Sequence, residues 1–60
     1  MMTDILSTED YELCGKLKTM RFSGMAEALE ELLRDPNSDL IPFREKVGRL
    51  VDAEWDLRYN

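Results

Sequence analysis

Met25, Ala28, Leu29, Leu32 and Leu33 recur at i, i+3, i+4 intervals, with Glu27, Glu30, Glu31 and Arg34 between them. That is the period of an α-helix with one apolar face, and a strand would scatter the same residues over both sides of a sheet. Such a helix needs a surface to cover its face. Two further segments of the same kind supply candidates. Ser7-Thr8-Glu9-Asp10 offers a hydroxyl cap and early carboxylates, and Leu13, Cys14, Leu17 and Met20 follow at helical spacing. Lys16, Lys18 and Arg21 gather towards the other end, so the charges complement the helix dipole. Pro42, whose missing N–H suits a first turn, opens a third apolar set of Phe43, Val47, Leu50, Val51 and Leu57, with Trp55 one turn beyond Val51.

Turn chemistry separates the three. Arg21-Phe22-Ser23-Gly24 reads as a break with Ser23 capping the second helix, and Asp35-Pro36-Asn37-Ser38-Asp39 as a second turn. The expected fold is all-α, a small three-helix domain with helices over residues 8–21, 23–35 and 42–60. One domain is expected over 8–60, after a disordered N-terminus over 1–7. Glu12–Lys16, Glu30–Arg34, Glu45–Arg49 and Glu54–Arg58 form i, i+4 pairs in the favourable orientation. Gly15 either weakens the first helix by roughly 1 kcal/mol relative to alanine or marks a close packing contact. The third helix has bases early (Arg44, Lys46, Arg49) and acids late (Asp52, Glu54, Asp56), the reverse of what the dipole favours. It is therefore expected to continue beyond Asn60.

Length sharpens the need for support. A chain of 60 residues buries only about 60% of the surface its unfolded form exposes, and small folds usually add disulfides, a metal or a neighbour. One cysteine makes no internal disulfide, and without histidine the usual zinc ligand sets cannot be assembled. A partner, a second copy or further chain remains. The net charge of −5 opposes non-specific binding to phosphates. No apolar run approaches the roughly 20 residues of a membrane span, and the first ten residues lack the pattern of a signal peptide. A cytoplasmic, membrane-free protein is expected.

Catalytic patterns do not emerge. Gly15-Lys16 superficially matches part of a phosphate-binding loop, but Asp10 stands where that loop needs glycine and Leu17 where it needs Ser or Thr. The carboxylates have no histidine or nucleophile beside them and read as a solvated acidic face. Cys14, inside an apolar stripe, reads as a buried structural thiol. Lys16, Lys18 and Arg21 are the possible DNA contacts, although the end of any helix favours the same charges. Trp55 and Tyr59, one turn apart, either complete the core or form an exposed aromatic anchor for a partner. Catalytic, cofactor-binding and metal-binding residues are expected to be none.

Two blocks of the chain resemble the N-terminal region of IstB-like proteins, the ATPase helpers encoded beside transposases in certain insertion sequences. The first is Leu17-Lys18-Thr19-Met20-Arg21-Phe22-Ser23-Gly24-Met25-Ala26-Glu27-Ala28-Leu29, similar to that family's leucine-rich helix followed by a basic residue, an apolar residue, a small turn and Gly-Met-Ala. The second is Phe43, Val47, then Leu50-Val51-Asp52-Ala53-Glu54-Trp55-Asp56 with Arg58, similar to a third helix in which glutamate and arginine stand four apart. Pro42, Gly48 and Arg49 depart from the family's pattern.

The resemblance implies a part in DNA transposition. Members of that family are AAA+ ATPases that assemble on target DNA, assist the transposase and resemble bacterial helicase loaders. ATP and magnesium are expected only in the ATPase domain, which is absent from this chain. What the resemblance leaves here is a non-catalytic assembly module that self-associates or docks to its own ATPase domain or the transposase. Phe22, Met25, Trp55 and Tyr59 are the expected contact residues. The competing readings are a nucleic-acid-contacting helical domain using Lys16, Lys18 and Arg21, or a freestanding acidic helical adaptor.

Overall fold

The computed structural model describes residues 5–60 and contains three α-helices, α1 (Thr8–Thr19), α2 (Ser23–Arg34) and α3 (Phe43–Tyr59), with a short 3₁₀ turn at Ser38–Leu40 before the third. No strand occurs among the described residues, so the all-α expectation holds. The expected N-terminal disorder lies outside the described residues for 1–4. Beyond them, Leu6 is buried and Ser7 caps α1.

Helix α1 begins with a reciprocal pair. The Asp10 amide donates to Ser7 Oγ at 3.1 Å, and the Ser7 amide donates to Asp10 Oδ2 at 3.0 Å. Two N–H groups that no helical carbonyl can reach are thereby satisfied. The helix stops at Thr19, two residues earlier than its charge pattern predicts. The Phe22 amide folds back to the Leu17 carbonyl at 2.8 Å and the Arg21 amide to that of Lys18 at 3.0 Å. This crossed pair closes a helix only when the residue after the cap is left-handed, a place glycine usually takes. Arg21 takes it here, at φ 68°.

A left-handed L-residue costs roughly 1–2 kcal/mol, part of which glycine forfeits through its freer unfolded chain. Arg21→Gly is therefore expected to stabilise the domain by about 0.5–1 kcal/mol. A thermal melt followed by circular dichroism would show it, and a lower midpoint would contradict the assigned turn.

The second junction follows its sequence. The Asn37 amide donates to Asp35 Oδ1 at 2.9 Å, and Pro36 keeps the chain from continuing as helix. Pro42 is the residue before α3 rather than its first turn, and its carbonyl accepts the Lys46 amide at 3.1 Å. Within the helices, Glu30–Arg34 at 3.4 Å, Glu45–Arg49 at 2.8 Å and Glu54–Arg58 at 2.7 Å are formed as their spacing predicts.

The helices do not close around a common core. α1 and α3 both pack on α2 and make no comparable contact with each other. Gly24, on the side of α2 that meets α3, and Ala26, about 200° further round, are both buried. A helix covered on two sides buries more than one stripe, which is why fully buried Ala26 lies outside the periodic set. The deeply buried apolar residues are Leu6, Cys14, Ala26 and Leu32, a small core for the number of apolar residues present. The other apolar side chains among the described residues sit half-covered or on the surface.

Candidate functional site

The junction of α2 and α3 is built around a carboxylate. Ser23, expected to cap α2, is instead its first residue, and Phe22 before it supplies no side-chain cap. The cap comes from another helix. Glu54, only 7% exposed, accepts the Met25 amide on Oε1 at 3.1 Å. A carboxylate at a helix N-terminus satisfies unpaired N–H groups and meets the positive end of the dipole. Arg58 Nε donates to Glu54 Oε2 at 2.7 Å, and its Nη2 reaches the Arg21 carbonyl at 3.0 Å. The guanidinium carbon lies 4.9 Å from the centre of the Phe22 ring, in range for a cation–π contact. One arginine thus ties the α1–α2 turn to α3.

Burial alone would push the Glu54 carboxyl up. The Met25 amide, the Arg58 guanidinium and the Gly24 amide outweigh it, and the net shift is downwards. The charged form is the one this junction is built to hold.

Gly24 makes the junction possible. A Cβ at this position would stand 2.8 Å from the Ala53 carbonyl oxygen and 3.1 Å from both the Ala53 carbonyl carbon and the Glu54 Cα. The helices therefore touch backbone to backbone, which brings Glu54 within reach of the α2 amides. Sequence reading placed Gly24 in a turn and suspected Gly15 of the close contact. A Cβ at Gly15 would meet nothing within 4 Å. Of the two readings of Gly15, the weakened helix is therefore the one that stands, and the close contact belongs to Gly24.

Beside the junction runs an apolar ridge. Phe43, Val47, Val51, Trp55 and Tyr59 succeed one another at i+4 along α3, and all five are exposed, Phe43 by 80%, Trp55 by 57% and Tyr59 by 67%. The Trp55 and Tyr59 rings lie 4.6 Å apart between centres and tilt by 44°. Of the two readings of this pair, completion of the core is excluded by its exposure. Met25, half-buried, joins Val51, Trp55, Arg58 and Tyr59 around a shallow hollow, and Phe22 lies under Arg58. The four expected contact residues are thus gathered at one end of α3. Phe43, Val47 and Val51 belong to the apolar set that the sequence assigns to the third helix, and since each i+4 step turns by about 40°, the row winds round α3 and only neighbouring members share a side.

The basic residues divide. Lys18 bridges to Glu30 of α2 at 3.3 Å, Lys16 is exposed on α1, and Arg21 sits in the left-handed turn with its carbonyl engaged by Arg58. Lys18 thereby joins two helices. Cys14 is 2% exposed, and its thiol is pushed up, first by burial and then by Glu30. A thiol so placed resists forming the reactive thiolate. Among the described residues no group of three or more acidic, cysteine or histidine side chains is arranged to hold a metal ion, and no helix is long and apolar enough to cross a membrane.

Comparison with known proteins locates this arrangement. Over 45 residues, 75% of the chain, it is 40% identical to an insertion sequence ATP-binding protein, y4pL, of Sinorhizobium fredii. The matched stretch spans 18% of that protein's length. No family model and no solved structure matches. The similarity to IstB-like insertion-sequence ATP-binding proteins, carried in the sequence by the Gly-Met-Ala block and the glutamate–arginine block, is borne out by this relative. In the structure those two blocks meet, Gly24 and Met25 against Glu54 and Arg58.

Proposed function

We propose that this IstB-like chain is a non-catalytic assembly module of a DNA-transposition helper ATPase, and that the Trp55–Tyr59 end of α3 is its contact face. One observation carries the reading: the Trp55 and Tyr59 rings stand together in solvent, 4.6 Å apart, beside the junction that Glu54 and Arg58 hold in place. Monomers rarely expose contiguous apolar surface of this kind without using it. Trp and Tyr are the residues most enriched where binding energy concentrates. The relative's name, an insertion sequence ATP-binding protein, supports a place in transposition, and the helper's own ATPase domain and the transposase are the partners that this reading names.

The test is a binding titration of the chain against each of those two proteins, with Trp55→Ser and Tyr59→Ser combined as the variant. Both side chains are exposed, so helicity should stay at the wild-type level while affinity falls at least tenfold, the scale of a lost aromatic hot spot. Unchanged affinity in the variant, or no binding of either protein by the wild type, overturns the proposal.

A further inference from the structure

The two sides of α3 differ. Trp55 and Tyr59 stand on one side, and Ala53, about 200° round the helix from Trp55, lines a groove between α2 and α3 on the other. We propose that this groove receives a lysine- and arginine-rich amphipathic helix of another protein. It is a second contact surface, separate from the aromatic end.

The close approach at Gly24 shapes the groove. Two hollows of about 370 Å³ each share Ala28, Glu31 and Ala53, one running towards Asp35 and Arg49, the other towards Gly24 and Leu57. The floor is small or apolar: Gly24, Ala28, Leu32 and Ala53 are all buried or half-buried. Leu57, 61% exposed at one end, adds an apolar side chain that nothing covers.

The walls carry charge of one sign. Glu27, Glu31 and Asp35 follow at i+4 on α2, and Asp52 and Asp56 do so on α3. Among the described residues Arg49 is the only base lining either hollow, and Glu45 already holds it at 2.8 Å. None of the five wall carboxylates is in an ion pair with a described residue. The bridged carboxylates are those of Glu30, Glu45 and Glu54, outside the groove walls.

Charge and shape together pick the occupant. Facing carboxylates repel one another and attract cations, yet among the described residues no three acidic groups are arranged to hold a metal ion. Nucleic acid and a second copy of this chain, at −5, both bring the wrong sign. The acids on each wall repeat every four residues, about 6 Å, which is also the repeat of bases at i, i+4 on a helix laid along the groove. A helix can carry an apolar stripe with bases on both flanks, and so meets the floor and both walls together. An extended strand has only two faces.

The test is a titration of the full chain, at low salt, against a labelled peptide of about 15 residues, long enough to form helix. The peptide carries an alanine–leucine stripe flanked by lysines on both sides. Its binding should weaken as salt is added, and a scrambled peptide of the same composition should bind about tenfold more weakly. Glu31→Gln combined with Asp52→Asn changes two exposed side chains and should lower affinity about five- to tenfold. Glu9→Gln combined with Glu12→Gln removes the same charge from α1 and should change it less than about twofold. The Trp55→Ser, Tyr59→Ser variant should bind the peptide as the wild type does. Equal binding of ordered and scrambled peptides, or equal losses from the groove and α1 variants, would reduce the attraction to net charge and overturn the proposal. So would no binding at low salt, or a loss confined to the Trp55–Tyr59 variant.

Discussion

Gly24→Ala is expected to lose most of the domain's stability, and Gly15→Ala to gain about 1 kcal/mol. The two substitutions add the same methyl group to the same kind of residue. At Gly15 the new Cβ meets nothing within 4 Å, so only the helix propensity counts. At Gly24 it would enter the space of the Ala53 carbonyl, 2.8 Å away, and the atoms it meets are backbone. Backbone in mid-helix cannot rotate aside, so α3 would have to withdraw from α2 as a body. Overpacking of this kind costs typically 1–3 kcal/mol, and the withdrawal also carries Glu54 away from the Met25 amide. A single core of this size rarely supplies more than about 3–5 kcal/mol. Urea unfolding followed by circular dichroism should show Gly24→Ala partly unfolded before denaturant is added, with Gly15→Ala displaced to higher urea. Matching midpoints for Gly24→Ala and the wild type would refute the backbone contact.

Glu54→Gln should be the most damaging isosteric change in α3. The amide keeps an oxygen for the Met25 N–H but presents an N–H₂ group to Arg58, leaving a guanidinium beside a group that repels it. The pH dependence gives a second readout. A carboxyl whose pKa is lowered on folding contributes stability that is complete above its unfolded value, 4.5, and is lost as pH falls through the lower folded value. The wild type should therefore weaken as the solution is acidified below about that point, because protons bind the unfolded chain more readily. In Glu54→Gln that contribution is already missing, so the variant should be less stable at neutral pH and lose less on acidification. Parallel melts from neutral to acidic pH measure both. Parallel acid curves for the two proteins would remove Glu54 as their cause.

Much of the architecture was legible in order of residues alone. The three helices, the Asp35–Asn37 turn and the i, i+4 ion pairs are local, within a few residues of chain, and periodicity, caps and charge spacing report on that range. Helix ends proved less readable. Arg21 holds a left-handed turn that residue preferences assign to glycine, because the Phe22 and Arg21 amides crossed onto the Leu17 and Lys18 carbonyls, and the Arg58 donor at its own carbonyl, jointly hold it. Ser23 looked like a cap and is not one, since the capping carboxylate is that of Glu54, 29 residues beyond the Met25 amide it receives.

What the sequence determined by itself is therefore the set of helices, their approximate bounds and the kinship with insertion-sequence ATP-binding proteins. Only the tertiary structure decided which glycine is the contact, which glutamate is the cap and which apolar row is left outside. Each of those depends on the distance between α2 and α3, and no spacing along one chain encodes the approach of two helices. Once Gly24 lets the backbones touch, Glu54 reaches the Met25 amide, and Trp55 and Tyr59 are left in the solvent.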